Sequence, residues 1–86
     1  MPVIDVYSRQ GCHLCEVLIE ELMPLVRGVA RIEVHDVDTR QEWRERYSDR
    51  LPVVEIAGDH VCHYRLDREA LLSRLGLRGP NSENDA

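Results

Sequence analysis

Cys12 and Cys15 are the residues of this chain best suited to chemistry. They stand three apart, with His13 and Leu14 between them, behind Gly11 and ahead of a long run with helical spacing. A cysteine in the first turn of a helix sits among unpaired backbone N–H groups, at the positive end of the helix dipole. That setting favours the thiolate, the form that attacks a disulfide. The second cysteine lies about one helical turn further on, placed to attack a mixed disulfide formed by the first. Arg9, and His13 when protonated, would add positive charge beside the first sulfur. The pattern predicts thiol–disulfide exchange, with Cys12 as nucleophile and Cys15 as resolving thiol.

Such a pair needs a strand, a turn and a helix to hold it. Val3 to Tyr7 is rich in β-branched residues and too apolar for an edge, so it is expected at the centre of a sheet, parallel to its neighbour. The helix from about Cys12 carries Leu14, Val17, Leu18, Leu22 and Leu25 on one face, with Glu16, Glu20 and Arg27 opposite. Pro24 is expected to kink it or end its regular part near Met23, and Gly28 to stop it. Arg31 to Val37 alternates as a half-buried strand, with His35 on the solvent phase. Thr39 and Glu42 have capping-box spacing for a second helix, whose Trp43 and Tyr47 share a core-facing side. The arginines around them read as a solvated face, Arg40 being the one able to meet a ligand.

Leu51 to Ile56, the turn Ala57-Gly58-Asp59 and His60 to Tyr64 read as a β-hairpin opened by Pro52. Strict alternation sets Cys62 on one face with His60 and Tyr64, and predicts a buried, inert thiol. Asp67 caps a last helix with Ala70, Leu71, Leu72 and Leu75 inward and Gly76 as its stop. The order is β-α-β-α-β-β-α. A right-handed crossover followed by a hairpin gives an α/β fold with one four-stranded mixed sheet. Its expected strand order is second, first, third, fourth, with the first and last helices on one face and the middle helix on the other. Residues 1–77 form the domain, and the polar stretch 78–86 is expected to be a disordered tail.

Eighty-six residues make one domain, and the net charge of −5 argues against a nucleic-acid partner. Three cysteines, an odd count, fit poorly with a secreted disulfide framework. No apolar run approaches the ~20 residues of a membrane span, and the start shows no signal-peptide core. The expected setting is cytoplasmic, without a membrane partner. All basic residues are arginine, a bias to which no mechanism is attached.

Residues 2–76 resemble the glutaredoxin family of the thioredoxin-like superfamily, and more closely the short bacterial glutaredoxin-like proteins with Cys-His-Leu-Cys. The residues carrying the likeness are Tyr7-Ser8-Arg9, Cys12-His13-Leu14-Cys15 and Leu51-Pro52-Val53. The resemblance implies a thioredoxin-like (glutaredoxin-type) fold, a dithiol–disulfide oxidoreductase and a cis Pro52 facing the cysteine pair. It implies substrate contacts at Arg9, His13, Leu14, Leu51, Pro52 and Val53, with the backbone of Leu51 or Val53 offered to an extended substrate. The implied partners are a disulfide-bearing protein or small molecule as substrate, and a thioredoxin-type protein or glutathione as reductant. The protein is expected to be a monomer with no tightly bound cofactor.

Several positions depart from the glutaredoxin pattern. His13-Leu14 replace Pro-Tyr, Arg9 replaces a lysine, Cys62-His63 replace a glycine pair, and Asp67 arrives one residue late. Side chains in place of glycines add bulk where a ligand approaches the backbone, so a weakened glutathione site is expected. Three other readings start from the same residues. Cys12, Cys15, Cys62 and His63 nominally supply four zinc ligands, though structural zinc sites usually take a cysteine pair from a tight loop. Cys12 and an external thiol could share an iron–sulfur cluster. The fold could also serve as a redox-inert binding module that holds a partner at the Pro52 edge.

Overall fold

The computed structural model describes residues 1–77; the tail expected over 78–86 lies outside the described residues. The elements follow the expected order: β1 (Val3–Ser8), α1 (His13–Val26), β2 (Arg31–Asp36), a 3-10 turn (Val37–Thr39), α2 (Gln41–Tyr47), β3 (Val53–Ile56), β4 (Asp59–His63) and α3 (Arg68–Arg74). They build one four-stranded sheet in the order β2-β1-β3-β4. β1 runs parallel to β2, from Val3 opposite Arg31 to Ser8 opposite Asp36. It runs antiparallel to β3, which pairs antiparallel with β4. The apolar strand expected at the centre is therefore central, and it is parallel to β2 as expected.

Alternation along β1 divides the core. Ile4 and Val6 face α1 and α3, packing with Leu18, Leu22 and Val26 of α1, Leu71 of α3, and Val54 and Ile56 of β3. Tyr7 faces the other way and packs with Val37, Trp43, Tyr47 and Val53 beneath α2. Each face thus carries the helices expected of it, and the Trp43 and Tyr47 rings are core contacts. At the β3–β4 turn Ala57 and Gly58 have φ of 53° and 83°, the two positive values of a type I′ hairpin.

Local details correct the sequence reading. α1 runs unbroken to Val26 with Pro24 inside it. Pro24 lies on the exposed face, where the carbonyl that loses its N–H partner can bond to water. Leu14 is 44% exposed, because it lies at the open end of the helix beyond the sheet's cover. His35 is not a free surface side chain. Its Nε2 lies 2.8 Å from Asp5 Oδ1 and its ring stacks on Tyr7, whereas Val34 is 52% exposed. β2 is an edge strand with little helix over its end, so its inner and outer faces are less distinct than alternation implies.

The capping box does not form. Thr39 belongs to the 3-10 turn and donates to the Asp36 carbonyl, while Arg40 is the N-cap of α2 without a side-chain bond. The short turn uses up the threonine before the helix begins. A bulge also changes the phase of β4. Val54 opposes Cys62 but Glu55 opposes His60, leaving Val61 as the extra residue. His60 therefore leaves the face of Cys62, which is 6% exposed in the core.

Candidate active site

Everything that places Cys12 is local. Gly11 takes φ +77°, which turns the chain out of β1, and the Cys12 N–H donates to the Arg9 carbonyl at 3.2 Å. Cys12 is the N-cap of α1, with extended backbone angles, and its sulfur accepts the Cys15 N–H at 3.2 Å. Sulfur thus does what a serine or aspartate oxygen usually does, satisfying a backbone donor left open by the helix. Cys12 and Cys15 form a disulfide, with their Cα atoms 5.2 Å apart. The two sulfurs differ in access. Cys12 is half-buried at a cleft, whereas Cys15 is 2% exposed beneath it.

The cleft has a volume of about 320 Å³ and is bordered by Arg9, Cys12, Leu14, Ser48, Leu51 and Tyr64. Three of the expected contact residues, Arg9, Leu14 and Leu51, therefore meet the expected nucleophile Cys12 there. His13 is exposed and lines a neighbouring hollow of about 350 Å³, shared with Leu14, Val17 and Tyr64. The Leu51–Pro52 bond is cis. Pro52 is fully buried and its carbonyl accepts the Tyr64 N–H at 2.9 Å. Val53 is 1% exposed and paired on both sides, with Tyr7 and with His63. Leu51, by contrast, makes no backbone hydrogen bond in this connection among the described residues.

Arg9 does not point freely into the cleft. Its Nε and one terminal nitrogen donate to the Asp38 carboxylate at 3.0 and 3.1 Å, and the same nitrogen donates to Ser48 Oγ at 2.9 Å. The hydrogen-bonded pair keeps the Asp38 carboxyl below its ordinary range and raises Arg9 further. Arg40 is engaged too, its guanidinium 4.7 Å over the Trp43 ring and near Glu42. Asp38, Ser48 and Tyr64 were missed by sequence reasoning. Asp38 is 29 residues from Arg9, and no local pattern announces the pair.

Cys62 and His63 are neighbours on opposite faces of β4, with Cys62 in the core and His63 exposed. Among the described residues they do not converge with Cys12 and Cys15 as a ligand set; the grouping that does converge is Asp5, Glu33 and His35. Burial pushes the Cys62 thiol up, partly opposed by the Asp67 backbone N–H, and so favours its protonated form. No helix among the described residues is long and apolar enough to cross a membrane.

A mixed sheet in this order, with a Cys-x-x-Cys pair heading the first helix and a cis proline before the third strand, defines a thioredoxin-like fold. The chain belongs to the glutaredoxin-like domain family (DUF836), whose model matches residues 3–76. It is similar to protein Ne2328 from Nitrosomonas europaea, known from a solution NMR structure, with 33% identity and a TM-score of 0.76. That match covers 85% of this chain and 89% of the other. No curated protein matches the chain. The family and the cysteine pair at bonding distance support a redox role.

Proposed function

We propose that this protein is a dithiol–disulfide oxidoreductase of the cytoplasm, with Cys12 as nucleophile and Cys15 as resolving thiol. The observation that carries the reading is the position of the Cys12 sulfur. It caps α1, takes a backbone N–H, and is the cysteine of the pair that meets the cleft. The Cys12 thiolate attacks one sulfur of a substrate disulfide. The other substrate sulfur leaves as a thiolate and takes up a proton. Cys15, losing its own proton, then attacks Cys12, closing the internal disulfide and releasing the second substrate thiol. Two electrons have passed from the cysteine pair to the substrate, and an external dithiol or thiol restores the pair by the reverse exchange.

The substrate is a disulfide-bearing protein or small molecule. The reductant is a thioredoxin-type protein, with glutathione a weak one, and the protein works as a monomer with no tightly bound cofactor. The engaged Arg9 and the exposed His63 support the weak-glutathione reading. Neither nucleic acid nor membrane takes part. The test is thiol counting by mass after trapping. Reduced protein given a mild disulfide should lose two thiols, and Cys15→Ser should accumulate a mixed disulfide on Cys12. Oxidation of Cys62 while Cys12 and Cys15 stay reduced would refute the assignment.

A further inference from the structure

Tyr64 combines several unusual features at the cleft. It has φ +66°, a left-handed conformation that a bulky side chain rarely takes. The Arg65 N–H donates to the His63 carbonyl at 2.7 Å across it. A bond from residue i+2 back to i around a positive φ is the rarer and more strained of the two γ-turn forms. Strain of this kind persists where the surroundings over-determine it, and two contacts do so here. The Tyr64 N–H is bonded to the Pro52 carbonyl at 2.9 Å, and its phenol donates to the Asp49 carbonyl at 2.8 Å. The side chain therefore runs alongside Asp49–Pro52, anchored at both ends.

That is the segment an extended substrate has to reach. Among the described residues the Leu51 backbone is unpaired, while the Pro52 carbonyl is already occupied by Tyr64 itself. A strand-like peptide gains its affinity from main-chain hydrogen bonds, so it must approach Leu51 from the cleft side. The Tyr64 ring borders that cleft and also the hollow beside His13. The ring is 47% exposed, held at its tip by one exposed hydrogen bond and by an edge contact with the His63 ring 4.8 Å away. The backbone anchor to Pro52 leaves the side chain free to turn once that one exposed bond to Asp49 is broken.

We infer that Tyr64 is a specificity-determining strap. Closed on Asp49, it leaves Cys12 open to narrow disulfides and bars a polypeptide strand from Leu51; released, it admits the strand. The inference rests on the oxidoreductase reading for its meaning in exchange, but the strap itself can be tested without exchange. Fully reduced protein is alkylated with iodoacetamide and, separately, with an iodoacetylated extended hexapeptide, and modification of Cys12 is followed by mass mapping. In parallel, the same protein is oxidised by 2-hydroxyethyl disulfide and by a cystine-bridged peptide.

The small-to-peptide rate ratio should fall about fivefold in Tyr64→Phe, the population change that one neutral hydrogen bond is worth. It should fall further in Tyr64→Gly, which also removes the ring and suits the positive φ. A ratio unchanged in both variants overturns the strap. If neither disulfide exchanges with the dithiol, the oxidoreductase reading falls, and the alkylation ratio still decides the strap. Circular dichroism of each variant checks that it is folded, and having two substitutions of different size keeps the test decisive.

Discussion

Tyr47→Phe is expected to destabilise the protein chiefly by taking a hydrogen-bond donor away from a buried carboxylate. Glu55 sits on central strand β3 and is 7% exposed, and the Tyr47 phenol donates to its Oε2 at 2.9 Å. Phenylalanine keeps the ring that stacks on Tyr7 at 4.1 Å, so packing is preserved while a buried carboxylate loses a donor. A hydrogen bond to a charged group contributes about 1.5–3 kcal/mol, and leaving the acceptor unsatisfied puts the cost toward the upper end. For a domain of this size that is a fall in Tm on the order of 10 °C. Urea unfolding followed by Trp43 fluorescence measures it. Glu55→Gln in the Tyr47→Phe background should recover part of the loss, because a neutral amide costs less to bury unpaired. The pH dependence has a definite sign. Burial, then the bond to Glu55, raises the Tyr47 phenol well above the ordinary tyrosine value of 10.0. Above that value the folded state holds a proton that the unfolded chain releases, so stability should fall as pH rises. The fall should be shallower in Tyr47→Phe, with Tyr7, also raised by burial, supplying the remainder. A Tyr47→Phe variant as stable as the wild type, with an identical alkaline limb, would refute the reasoning.

Oxidised protein should be reduced more slowly by glutathione than by a dithiol protein, and His63→Gly should speed the glutathione reaction, both read as initial rates on one sample. Fast, saturable reduction by glutathione at low millimolar concentration would contradict this. Asp38→Asn should release Arg9 and raise the glutathione rate; its stability deficit should also vanish in acid. The depressed Asp38 carboxyl makes its contact fully above the ordinary carboxylate range and loses it as pH falls through its lowered value, so Tm of the two proteins should converge at low pH. Leu14→Ser should shift stability by less than about 0.5 kcal/mol, as exposed substitutions do, yet slow exchange with disulfides flanked by apolar residues.

The fold was legible because each element announces itself over several residues. The β-branched run of β1, the leucine spacing of α1 and the Ala57-Gly58-Asp59 turn suffice for topology and strand order. What escaped depends on single residues displaced by context. One bulge residue, Val61, moves His60 to the far face of the sheet, and alternation cannot show it. One 3-10 turn takes Thr39 away from the helix it was expected to cap. Leu14 has core periodicity but lies past the edge of what the sheet can cover. At the site, Cys12 and Cys15 could be read directly from their spacing. Glu55 does carry a signal, as a lone charge inside the apolar run of β3. Asp38, Ser48 and Tyr64 carried none, because the fold alone brings them to Arg9 and Leu51.

The same contacts explain why the departures from the glutaredoxin pattern belong together. A cation beside the nucleophile can bind a ligand carboxylate or hold the protein's own loops, but not both at once. Here Arg9 ties the turn before Cys12 to Asp38 and to Ser48, on either side of α2. That fixes the mouth of the cleft and spends the guanidinium on structure. What remains around Cys12 is mixed: Leu14 and the Tyr64 ring beside the polar Gln10 and Asp49 and the Leu51 backbone. On the proposed function, a site built this way is expected to select disulfides by shape more than by the charges a small anionic thiol carries. Raising salt should therefore leave its exchange with an anionic peptide disulfide nearly constant, because with Arg9 engaged there is little charge attraction for salt to screen. A steep loss of rate with salt would show that an unpaired charge governs the cleft after all.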